Sequence, residues 1–141
     1  MKWITREKVK VDRVACPWLI KKFIDPNAEF VFLPPDTDWA SIRGGTVYDV
    51  PGCELGHHGE EVSFDAILKR YSLTNDSALV LLAQIVRAAD SHPANPHPAG
   101  EGLRWIALGF STLGLNDYDM LERESIIYDA LYAECQIRAV L

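Results

Sequence analysis

Apolar and polar positions along the chain alternate in blocks that predict a sheet-and-helix beginning and a helical remainder. Lys2–Thr5 followed by Lys8–Val11 reads as a first strand bounded by charge. In Val14–Ile24, apolar residues fall at Val14, Trp18, Leu19 and Phe23, close to helical spacing. Pro17 suits the first turn of that helix, with Asp12 or Cys16 as N-cap and Asp12 carrying the better side chain for it. Pro26 disfavours helical geometry at Asp25 and ends the helix. Glu29–Leu33 (EFVFL) is a strand by its aromatic and β-branched content. Strand, helix, strand in that order predicts a parallel pair joined by a right-handed crossover.

Further on, Asp38–Ile42 predicts a short helix and Thr46–Val50 a strand. Ser63 is placed to cap a helix from Phe64 to about Tyr71. Asn75-Asp76-Ser77 starts a helix over Ala78–Asp90, apolar almost all round and hence buried on most faces. Ser91–Gly102 (SHPANPHPAGEG), with its prolines and glycines, predicts an irregular loop. Leu103–Leu113 and Asp117–Ala139 read as the last two helices. The expected fold class is α+β: a small sheet with a βαβ start, packed against a cluster of helices. Trp3, Trp18, Trp39 and Trp105 are expected to anchor the core, and Cys135 to lie within it.

Composition narrows the picture. A chain of 141 residues is expected to form one domain spanning 1–141, large enough for a core without disulfides. Its net charge of −6 argues against a dedicated nucleic-acid binder, although the beginning of the chain is locally basic. Three widely spaced cysteines with no CxxC pair argue for a reducing compartment. The N-terminus lacks the apolar core of a signal peptide, and no run is apolar enough to span a bilayer, so the expected location is cytoplasmic. No P-loop, dinucleotide GxGxxG, GxSxG elbow or HExxH is present.

Candidate chemistry concentrates in Gly52–Asp65 (GCELGHHGEEVSFD), which holds two histidines, a cysteine, four carboxylates and three glycines. Histidine nitrogens and carboxylate oxygens are the usual ligands of zinc and similar divalent ions. In an extended segment His57 and His58 point to opposite faces, so one of them serves a given site. Glu54 is within reach of His57 if the backbone turns at Gly56. Further ligands must come from elsewhere: Asp65, or Asp90 and His92 at the end of the buried helix. The alternative is a polar surface turn. A second candidate is DRVACPW, Asp12–Trp18. If Pro17 opens the helix, Cys16 sits at its N-terminus, where the dipole favours thiolate, and Arg13 together with free N–H groups suits an oxyanion. The plainer alternative is a small buried Cys16 beside an Arg13 paired to a carboxylate.

VDRVACPWLIKKFIDPNAEFVFLP, YDVPGCELGHHGEEVSFDAILKRYSL, ALVLLAQIVRAAD and YDALYAE together resemble the ChrB-type chromate-resistance domain over essentially the whole chain. In that family the domain is often the C-terminal half of a chromate-responsive transcriptional regulator, or is fused to a rhodanese-like sulfurtransferase module. The resemblance implies a cytoplasmic protein of chromate or metal-stress response. Its implied partners are chromate or a similar oxyanion and a sulfurtransferase. The chain as given has no preceding region to act as a DNA-binding domain, which tells against direct nucleic-acid binding. Shared polar positions of the family fall on Arg13, Cys16, His57, Ser63, Asp65 and Asp90, whereas Arg87 stands where relatives are expected to carry histidine.

Two functional classes follow. One is a binding module in which His57, with Glu54 or His58 and with Asp90, holds a divalent metal ion (zinc or similar) while Arg13 attracts a chromate-like dianion. The other is a reductase or transferase with Cys16 as nucleophile, or a metal-bound water as reactive species, and with His57 or Asp65 as base. A transcriptional regulator is a third reading, weakened by the charge. The binding reading requires the fold to bring Asp12–Trp18, His57 and Asp90 together.

Overall fold

A computed structural model describes residues 1–91 and 93–140. The element order is β1 (Lys2–Arg6), α1 (Val11–Phe23), β2 (Glu29–Leu33), β3 (Thr46–Val47), α2 (Ser63–Arg70), α3 (Ser77–Asp90), α4 (Ala99–Thr112) and α5 (Asp117–Arg138). β1 is the central strand of a sheet ordered β2-β1-β3, parallel to both neighbours. The βαβ start and the α+β class are therefore as expected, with β2 on the expected residues.

The boundaries of the first helix differ, and the difference matters for the site. Lys8 takes a left-handed backbone (φ 63°), which ends β1. The N–H groups of Lys8 and Val9 donate to the Asp117 carboxylate at 3.0 and 2.9 Å. The chain then turns into α1 at Val11, three residues before the apolar periodicity begins. Pro17 consequently lies inside the helix rather than in its first turn, and Cys16 lies a full turn or more from the N-terminus. α2 starts at Ser63 and α3 at Ser77, where the Asp76 carboxylate accepts from the N–H groups of Ala78 and Leu79. The expected helix at Asp38–Ile42 is a single 3₁₀ turn, Trp39–Ser41.

α4 begins at Ala99, inside the stretch read as loop. Gly100 is a packing device there: a Cβ on it would collide with Ala88 of α3. Trp3, Tyr48, Phe64, Leu19, Ile67, Leu79, Leu82 and Tyr128 form the centre of the core. Each such side chain contributes about 1.5–3 kcal/mol through burial. Trp18 and Cys135 are buried as expected, whereas Trp39 is half-buried and Trp105 is 73% exposed on α4. Glu124 of α5 is 1% exposed, neither carboxyl oxygen has a partner, and burial raises its pKa to about 7. No described helix is long and apolar enough to cross a membrane.

Candidate metal centre

Three carboxylates and one histidine meet where α1, α3 and the two loop segments around β3 and α2 converge. Asp12, in the first turn of α1, is 1% exposed. It does not cap its own helix. Its Oδ2 accepts from the Ser63 N–H at 2.8 Å and its Oδ1 from the Phe64 N–H at 3.1 Å, so it caps α2. Ordinarily the residue before a helix supplies such a cap; here that residue is Val62, which has no acceptor. The Val62 N–H in turn donates to Asp65 Oδ2 at 3.0 Å. Asp90, the last residue of α3, plays the same part for α1: its Oδ1 accepts from the Asp12 N–H at 3.3 Å. Placed at the C-terminal end of its own helix, Asp90 is offset by the N-terminal end of another.

Asp49 follows β3 in a left-handed conformation (φ 50°), which a short polar side chain tolerates. Its Oδ1 accepts from Ser63 Oγ at 2.7 Å, and its Oδ2 lies 3.3 Å from Arg13 Nε. The loop after it closes tightly at buried Gly56, where a Cβ would press on the Val50 carbonyl oxygen at 3.0 Å. That turn aims the next side chain inward. His57 Nε2 lies 3.4 Å from Asp12 Oδ2, 3.3 Å from Asp49 Oδ1 and 3.2 Å from Asp90 Oδ2. The side chains of Asp12 and Asp49 are almost wholly enclosed, Asp90 is 19% exposed, and His57, at 44%, forms the solvent side.

Charge crowding sets the protonation. Burial, reinforced by Asp49 and Asp90, pushes the Asp12 carboxyl up to about 7. Hydrogen bonds to Asp12, Asp49 and Asp90 raise His57 to about 12, so the ring is an imidazolium at neutral pH. One Nε2–H cannot satisfy three carboxylates at once. The three oxygens converge on Nε2, and Asp12, Asp49 and His57, without Asp90, offer one candidate ligand atom each within 4.8 Å of one another.

Residues 3–135 match the family described as "ChrB, C-terminal domain". The chain belongs to this family. A curated relative, Protein ChrB of Cupriavidus metallidurans, is 33% identical over 130 residues, which is 92% of this chain but 39% of that protein. The chain thus spans about two-fifths of the length of that relative. No solved structure matches.

Of the site residues expected from sequence, this ChrB-family domain brings together His57, Asp90 and the Asp12–Trp18 segment, and leaves others aside. His58 points away, its Nε2 2.8 Å from the Glu54 carbonyl oxygen. The Glu54 carboxylate faces solvent, 3.5 Å from Arg70 Nε. Neither contributes to the cluster. Asp65 is held in a two-pronged pair with Arg87, at 2.7 Å to Nη2 and 3.1 Å to Nε, which explains the arginine at a position where histidine was expected. Arg13 is spent on Asp49 and, through Nη1 at 3.1 Å, on the Glu7 carbonyl oxygen. His92 lies outside the described residues.

Cys16 is fully buried, its Sγ 3.4 Å from Asp12 Oδ1. Burial first, then Asp12 and Asp49, hold its pKa well above the ordinary thiol value. This is the opposite of the dipole-stabilised thiolate that a helix start at Pro17 would give. In the native protein Cys16 is therefore expected to resist iodoacetamide at neutral pH and to label on unfolding. Alkylation of the folded protein at Cys16, read by peptide mass, would contradict this.

Sequence reasoning missed two members of the cluster as ligands, Asp12 and Asp49. Asp12 carried a signal, since a capping carboxylate beside a cysteine and an arginine invited a second role. Asp49, in YDVPG, carried none: the sequence places it inside an expected strand Thr46–Val50, whereas β3 ends at Val47.

Proposed function

We propose that this chain is a divalent-cation-binding domain of a cytoplasmic protein of chromate or metal-stress response, with Asp12, Asp49 and His57 as ligands and Asp90 as an adjacent carboxylate that holds His57. The observation that supports it most is the convergence of Asp12, Asp49 and Asp90 oxygens on His57 Nε2 at 3.2–3.4 Å. Two ligands about 2.1 Å from one ion at a tetrahedral angle stand about 3.4 Å apart, so these separations are those of a coordination shell as well as of hydrogen bonds. Oxygen donors with a single imidazole and no thiolate suit zinc and its harder neighbours manganese(II) and iron(II). Ser63 would orient Asp49, and the N-terminus of α2 would orient Asp12, as outer-shell donors do for metal-bound carboxylates.

The same geometry favours a cation over a chromate-like oxyanion at this point. Three carboxylates repel a dianion, and Arg13 already has its partners. The chromate connection rests on family membership. An oxyanion would have to bind elsewhere or through the ion. Elemental analysis of untagged protein after loading with zinc or manganese(II) and desalting tests the proposal. Near-stoichiometric metal is expected in the wild type, with at least a tenfold loss in His57→Ala and in Asp49→Asn, both with unchanged circular dichroism. Equal, negligible metal in all three overturns it.

A further inference from the structure

α4 carries a feature unrelated to the carboxylate cluster. Its inner face (Gly100, Leu103 and Ala107) packs on α3. Away from α3, Gly102, Trp105, Ile106, Gly109, Thr112 and Leu113 share an uncharged stripe, bordered on one side by exposed Glu101 and its partner Arg104. Trp105 is 73% exposed, Ile106 40%, Leu108 45% and Leu113 69%. A surface helix normally turns charged residues outward, and this one turns its tryptophan outward. The exposed side chains of Trp105, Ile106 and Leu113 amount to roughly 400 Å², within the range for the largest apolar patch on a monomer.

The glycines point to the occupant. Gly102 and Gly109 sit in the helix with no positive φ, and nothing lies within 4 Å of a Cβ built on either. Each therefore costs the helix about 1 kcal/mol relative to alanine with no compensating contact inside this chain. The pattern Gly102-x-x-Trp105-Ile106-x-x-Gly109 is symmetric about the midpoint of Trp105 and Ile106. Two antiparallel copies crossing at that midpoint place each Gly102 opposite the partner's Gly109, and each Trp105 opposite the partner's Ile106. Such a seam is self-complementary, as a twofold interface must be, and the glycines let the helices approach closely. An uncharged seam also keeps the acidic side chains of two copies, each of net charge −6, out of the contact.

We infer that the outer face of α4 is a homodimer interface, in which two copies of this chain pack antiparallel about Trp105 and Ile106. Burying roughly 400 Å² per copy reaches about 800 Å² in total, the size of a weak, transient interface, so the dimer is expected to form only with rising concentration.

Sedimentation of the full chain from about 1 to 100 µM follows that rise. The wild type is expected to move from a mass of 15.8 kDa toward twice that value with rising concentration. Trp105→Glu is expected to remain at 15.8 kDa with an unaltered melting temperature, because the side chain it replaces packs on little within its own chain. Gly102→Ala with Gly109→Ala separates the interface from folding: it should raise the melting temperature of the dilute monomer while weakening dimerisation at least tenfold. A wild type that stays at 15.8 kDa throughout, or a dimer indifferent to Trp105→Glu, overturns the proposal. So does a glycine pair whose replacement leaves dimerisation unchanged.

Discussion

Metal uptake by this chain is expected to expel about one proton per ion above neutral pH, and more below it. His57 Nε2 keeps its proton to about 12 because Asp12, Asp49 and Asp90 surround it. An ion can bind Nε2 only after that proton leaves. Apparent affinity should therefore rise about tenfold per pH unit between about pH 7 and 9. Below pH 7 the dependence steepens, because Asp12, raised to about 7, must then lose its proton too. Zinc or manganese(II) titrations followed by calorimetry in two buffers of different ionisation enthalpy read the proton count directly. A binding heat independent of buffer, or an affinity flat with pH, would show that His57 is not displaced from its carboxylates and is no ligand. Asp49→Asn should lower the proton barrier at His57 while removing a ligand charge, so its pH profile should be shallower as well as weaker.

Asp12→Ala is expected to cost about 3 kcal/mol of folding stability, with Asp12→Asn nearer 1 kcal/mol. The alanine leaves the N–H groups of Ser63 and Phe64, both inside the protein, without acceptors. Asparagine keeps one oxygen for them. Removing a crowded buried carboxylate returns part of the loss, which is why the figure is not larger. Urea unfolding of the metal-free proteins measures both. An alanine variant within 0.5 kcal/mol of wild type would mean that α2 does not depend on Asp12 for its start.

The broad architecture was legible because it rests on periodicity. The aromatic and β-branched content of EFVFL, the turn chemistry of Asn75–Ser77 and the nearly all-round hydrophobicity of the following helix each specify one element locally. The opposed directions of His57 and His58 also follow from local geometry, and the structure has them so. What could not be read is what other segments impose. α1 starts at Val11 because Asp117, more than a hundred residues away, and Asp90 hold the preceding backbone. That displacement moved Pro17 and Cys16 into the helix interior and removed the thiolate argument. Likewise Asp12 looked like the cap of its own helix and is the cap of another, a relation between residues 51 positions apart. α4 was under-read for a different reason: Gly100 and Gly102 look like loop punctuation until a neighbouring helix shows why one of them lacks a side chain.

The carboxylates around His57 also differ from it in how freely they can be exchanged. Asp90 gives one oxygen to the first turn of α1 and the other to the histidine, whereas Asp12 gives both oxygens to the start of α2 and shares Oδ2 with the histidine. A glutamate at either place would keep the charge and misplace a helix. Among the described residues the polar partners of the His57 side chain are these three carboxylates, and it caps no helix. Within this architecture a substitution at position 57 changes the charge facing the three acids without moving a helix end, whereas one at Asp12 or Asp90 changes both.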